Sequence, residues 1–89
     1  MLTLQYSTQF KKDFKKVRKL SIEDLNDIFK VISTLQKEEI LDIKFKDHDL
    51  IGNYKGFREC HIKPDFLLIY KRDNRGLSLA RIGSHSELF

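Results

Sequence analysis

The sequence predicts an α+β fold in the order β-α-α-β-β-β, a helical hairpin packed on a small, mostly antiparallel sheet. Three observations predict it. The first residues alternate apolar and polar. Two apolar stripes at helical spacing follow. Beyond Gly56, three short runs look like strands separated by turns.

Leu2, Leu4 and Tyr6 alternate with polar residues, as in a half-buried strand. Ser7 or Thr8 can cap a first helix that buries Phe10, Phe14 and Val17, with lysines on its other faces. Ser21 with Asp24 resembles a capping box. It opens a second helix whose stripe is Ile22, Leu25, Ile28, Phe29, Ile32 and Leu35. Residues 37–55 keep no sustained period and read as a long functional or ordered loop. Phe57–Ile62, Phe66–Arg72 and Leu77–Ile82 are the expected strands. Lys63-Pro64-Asp65 forms the turn between the first two, and Asp73-Asn74-Arg75-Gly76 forms a hairpin turn between the last two. In the middle run, Phe66 to Tyr70 are apolar at both parities, so both faces need cover. Two helices blanket one face. The other must be covered by the chain's ends, the long loop or a partner, and a binding surface there is one expectation.

At 89 residues the chain reads as a single domain, 1–89, and its 40% apolar content suffices for one small core. Seventeen basic against thirteen acidic residues give a net charge of +4, which favours a polyanionic or acidic partner. The excess is concentrated in residues 11–19 (KKDFKKVRK), while residues 21–50 carry more acids than bases. The single Cys60 rules out an internal disulfide and a cysteine-rich zinc site. Neither a signal peptide nor a membrane-length apolar run is present, so a soluble cytoplasmic protein with no membrane partner is expected.

All three histidines, His48, His61 and His85, lie in the second half, and Asp65 follows Pro64. Imidazoles titrate near neutrality and suit general acid–base work. RNA cleavage by internal transesterification needs a base for the 2′-OH, an acid for the departing 5′-oxygen and a cation at the phosphate. Each histidine has a structural alternative, as has Asp65, an ordinary turn residue after proline. Arg81 suits a core-capping role or a phosphate equally. Arg58 reads as structural, pairing with a carboxylate, and Cys60 as packing. Phe89 is placed to fray or to stack on a base. No pair of histidines has the short spacing of familiar zinc motifs, so no metal and no cofactor is expected.

The spaced string DHxLxGxxKGxRxxHxxPDxxLIY over Asp47–Tyr70, followed by RxGxHxxLF over Arg81–Phe89, resembles the YafQ family of toxins in the RelE/ParE superfamily. The motifs cover the second half closely, and the element order extends the likeness to the whole chain. The resemblance implies a microbial ribonuclease fold and mRNA cleavage, in many relatives on the ribosome, held off by an antitoxin encoded alongside. It places the acid–base residues at His48, His61, Asp65 and His85, the phosphate-binding arginine at Arg81 and the terminal aromatic at Phe89. Phe66 stands where relatives carry Trp or Tyr; its ring can stack on a base but cannot hydrogen-bond.

The resulting expectation is a type II toxin cleaving mRNA without a metal. His85 or Asp65 takes the 2′-OH proton, His61 or His48 protonates the leaving oxygen, Arg81 steadies the phosphate, and Phe66 and Phe89 position bases. Two alternatives share the fold: a gyrase-inhibiting toxin of the ParE branch, and an inactive domain that binds an antitoxin and regulates transcription. An acidic antitoxin segment is expected over the sheet or the basic helix.

Overall fold

The computed structural model describes residues 1–89. Strand β1 (Leu4–Tyr6) leads into helices α1 (Thr8–Val17) and α2 (Ile22–Gln36). Two short 3₁₀ turns, Ile43–Phe45 and Gly52–Tyr54, flank the two-residue strand β2 (His48–Asp49). Strands β3 (Arg58–Lys63), β4 (Phe66–Asp73) and β5 (Gly76–Gly83) follow, and helix α3 (His85–Leu88) ends the chain. The sheet order is β1-β5-β4-β3-β2; β1 runs parallel to β5 and the other pairs are antiparallel.

Ser7, not Thr8, caps α1: its Oγ accepts from the Phe10 amide at 2.9 Å and donates to the Ala80 carbonyl at 2.7 Å. Ser21 caps α2 by accepting from the Asp24 amide. The buried face of α2 is Ile28, Val31, Ile32 and Leu35. Ile22 and Phe29, expected in that stripe, are 77% and 52% exposed. Both lie on its flank, where Phe29 meets Phe14 across the helix pair instead of the sheet. The main core joins these residues to Phe10 and Val17 of α1 and to Cys60, Ile62, Leu68, Tyr70, Leu77, Leu79 and Ile82 of the sheet.

Both faces of β4 are covered, as its composition demands. Leu68 and Tyr70 meet the helices, while Leu67 and Ile69 meet Leu88, Leu50, Tyr54, Phe57 and Ala80 on the opposite face. The chain's own 50–57 segment and terminal helix supply that cover, so β4 offers no open face to a partner. Each such side chain stabilises the fold by ~1.5–3 kcal/mol. Two short elements escaped the sequence. A two-residue strand is too short to show alternation, and α3 is a single turn. Its signal was nonetheless present: Ser84 and Glu87 form a complete capping box.

At the other edge, β1 and β5 approach so closely that a Cβ on Gly76 (φ +135°) would sit 2.2 Å from the Thr3 carbonyl oxygen. That carbonyl accepts from the Leu77 amide at 2.8 Å.

Candidate active site

Pairing with β3 makes β2 a strand and sets His48 opposite Glu59 and Asp49 opposite Arg58. Arg58 secures this edge, donating from Nη1 to Asp49 at 2.7 Å and from Nε to Asp47 at 3.3 Å. The Tyr70 hydroxyl donates to the same Asp47 oxygen at 2.5 Å. Burial pushes the Tyr70 phenol well above its ordinary value, and its hydrogen bond to Asp47 adds to that. The Arg58 guanidinium is held further into its charged form by Asp47. Lys46 adopts a left-handed conformation (φ +51°), and its carbonyl lies 2.6 Å from His48 Nδ1. A carbonyl only accepts, so that contact puts a proton on Nδ1 and turns Nε2 inward.

What Nε2 meets is a carboxylate that sequence reading missed. Glu59 Oε1 lies 3.5 Å from His48 Nε2 and 3.4 Å from His61 Nε2, with the Glu59 side chain only 5% exposed. Its Oε2 is buried without a hydrogen-bond partner. A buried carboxylate needs charged or hydrogen-bonding partners, and the two imidazole Nε2 atoms are the groups that approach it. The two rings are 6.2 Å apart. His61, inside β3, has Nδ1 3.4 Å from the Pro64 carbonyl. The signal for Glu59 was its place two residues before His61, on the same face of one strand.

A second group lies across the sheet. Asp65 Oδ1 accepts from the His85 amide at 3.0 Å, tying the β3–β4 turn to the start of α3. The His85 ring sits 5.2 Å from that of Phe89, which packs edge-on against Tyr54 at 5.8 Å. The strand registers relate the groups. His48, Glu59, Ile69 and Arg81 form one row, and His61, Leu67 and Gly83 form the next. With neighbouring strands about 4.8 Å apart, His61 and Gly83 are separated by about 10 Å. His85 follows Gly83 by two residues. The structure therefore joins His48 with His61 and Asp65 with His85, and the buried Leu67 and Ile69, covered by Leu50, Tyr54, Phe57 and Leu88, lie between the two groups.

Arg81 is engaged within the chain. Its Nε and Nη2 hold Asp13 at 2.8 and 3.3 Å, which strengthens its charged form, as does Tyr54. Phe66 is elsewhere: it packs against the main core and lines a crevice with Asp13, Lys16 and Glu87. Cys60 is fully buried, and burial pushes its thiol up to about 12, so it stays protonated.

Asp13 also accepts from the Ile82 amide and from Gln9, stapling α1 to β5. Burial alone would raise its carboxyl, but Arg81, Ile82 and Gln9 outweigh it and leave it below the ordinary carboxylate value. A lowered carboxyl stabilises the fold above its unfolded value and loses that contribution as pH falls through the folded one. Asp13→Asn is expected to cost ~1–3 kcal/mol in urea unfolding at neutral pH. The deficit should shrink in strong acid; a deficit constant with pH would contradict the ionised staple.

A family model described as a bacterial toxin of type II toxin–antitoxin system, YafQ, matches residues 2–89. The mRNA interferase toxin YafQ of Escherichia coli strain K12 is 39% identical over 88 residues, covering 97% of this chain and 94% of that protein. A metal-bound toxin from Helicobacter pylori superposes with a TM-score of 0.89 at 48% identity, over all of both chains. The E. coli DinJ–YafQ complex contains a chain with a TM-score of 0.86 at 36% identity, covering 100% of this chain and 99% of that one. By sequence over nearly its whole length and by fold, the chain belongs to the YafQ family of bacterial toxins of type II toxin–antitoxin systems.

Proposed function

We infer that this toxin is an endoribonuclease that cleaves mRNA by acid–base catalysis from its own side chains, with an antitoxin as its protein partner. The observation that carries the mechanism is the Glu59 carboxylate shared by His48 and His61, with Asp65 bonded to the His85 amide two strands away. Likeness to an mRNA interferase favours RNA over the gyrase alternative.

In this mechanism the His85 imidazole, exposed at the start of α3, takes the 2′-OH proton. The 2′-oxygen attacks the adjacent phosphorus and the bond to the 5′-oxygen breaks. An imidazole of the His48–His61 pair delivers a proton to that oxygen, while Glu59 supplies the negative partner its charged ring needs. Asp65 holds the His85 backbone in place. Arg81 faces the phosphate with the guanidinium edge that Asp13 leaves free, and Phe89 stacks on a base.

Two similar Helicobacter pylori toxins are copper-bound and metal-bound; here His48 and His61 flank one Glu59 oxygen at 3.5 and 3.4 Å, an arrangement without the geometry of a metal site. No step of the mechanism is routed through a metal. Cleavage products should end in a 2′,3′-cyclic phosphate and a 5′-hydroxyl, at a rate unchanged by EDTA. Products with 5′-phosphates, or loss of activity with chelator, would overturn the mechanism. Primer extension on one mRNA with and without ribosomes tests whether the ribosome presents the substrate. For the antitoxin, the apolar groove of about 380 Å³ between β1, α1 and α2 suits an amphipathic acidic segment, with Lys11 on its rim.

A further inference from the structure

His61 belongs to a second cavity that the catalytic row does not include. A cleft of about 510 Å³ opens beside it between β3, α2 and the first 3₁₀ turn, lined by Lys30, Lys44, Lys46, Lys63 and Phe45. Lys63 is neutralised by Asp27 at 2.6 Å and Asp24 at 3.4 Å. Lys30, Lys44 and Lys46 are exposed and form no ion pair. Three free cations thus gather within a stretch of sequence whose charge is on balance acidic.

The cleft is continuous with the catalytic pair. His61 forms part of its wall, and Lys46, which also lines it, is the residue whose carbonyl holds His48 Nδ1. A phosphodiester seated at the two imidazoles therefore has its neighbouring nucleotides beside the cleft. A basic groove with an aromatic ring is the composition that single-stranded nucleic acid requires: cations for phosphates, a flat face for a base. Phe45 is half-buried, and the Lys44 ammonium lies 5.2 Å from its ring centre.

We propose that this cleft is a binding subsite for single-stranded RNA flanking the scissile bond, with Lys30, Lys44 and Lys46 on backbone phosphates and Phe45 against a base. The inference rests on the nuclease reading and deepens it. It also shifts the RNA path away from the lysines of α1, a helix that packs on β5 nearer the opposite edge of the sheet.

The test uses a labelled single-stranded RNA oligomer and the full chain carrying His85→Ala, so that RNA is bound but not cut. Lys30→Glu/Lys44→Glu/Lys46→Glu should raise Kd about tenfold or more, and the slope of log affinity against log salt should fall by about 2. The same charge change on α1 (Lys12→Glu/Lys15→Glu/Lys19→Glu) should leave that slope much nearer the parent value. In the active background the cleft variant should raise KM and keep kcat. A milder Lys→Ala triple should move the same quantities less in the same direction. If the cleft variant binds RNA like its parent while the α1 variant does not, the subsite is wrong and RNA runs along α1. If the cleft variant loses only antitoxin binding, the cleft is a protein-docking surface and the proposal fails. If the parent neither binds nor, with His85 restored, cuts RNA, the nuclease reading itself fails.

Discussion

His85→Ala is expected to reduce RNA cleavage by about 10²–10⁴-fold, the range a positioned acid or base contributes, and to leave the fold intact. The side chain is exposed, and the bonds that secure α3 come from backbone and neighbours: the Ser84–Glu87 box, the Asp65 contact to the His85 amide, and the buried Leu88. Alanine keeps the amide and favours helix. Thermal unfolding should therefore be nearly unchanged while growth inhibition disappears. A variant with an undiminished single-turnover rate would remove His85 from the chemistry and leave the His48–His61 pair to do both proton transfers.

Glu59→Gln should have the second largest effect. Glutamine matches the size of glutamate but removes the charge that faces His48 and His61 from 3.5 and 3.4 Å. The variant should still fold, because the amide keeps the carboxylate's shape and removes a buried charge whose Oε2 has no hydrogen-bond partner. Cleavage should nevertheless fall about a hundredfold, the scale of losing a correctly held catalytic group. The loss should appear in kcat and leave KM close to that of wild type. If Tm drops sharply and kcat holds, Glu59 is a structural pairing residue and has no part in catalysis.

The sequence displays its long elements because their periods repeat. The α1 stripe Phe10-Phe14-Val17, the doubly apolar β4 and the hairpin turn before Gly76 each contain enough residues for a pattern to emerge. It hides whatever depends on one pairing. His48 becomes a strand residue only because Glu59 lies across from it, and Glu59 is recognisable as part of the site only once two histidines far apart in sequence meet its carboxylate. The three free lysines are likewise invisible in a segment whose acids outnumber them, since the acids turn elsewhere: Asp24 and Asp27 to Lys63, Asp47 and Asp49 to Arg58. Arg81 was legible as a residue with two equal uses, and Asp13, surrounded by lysines on the polar faces of its helix, gave no hint that it engages one edge of the guanidinium.

The parallel pairing of β1 with β5 has a consequence for how the toxin comes into being. Ser7 and the Ala80 carbonyl it binds are 73 residues apart, and Asp13 finds Arg81 and Ile82 at a similar separation. During translation the opening strand and helix can meet α2 early but cannot dock on the sheet until the final hairpin emerges from the ribosome. Such distant closures make folding late and nearly all-or-none. A ribosome stalled before β5 releases a fragment that cannot assemble the catalytic face, so a cell meets this nuclease only as a finished molecule.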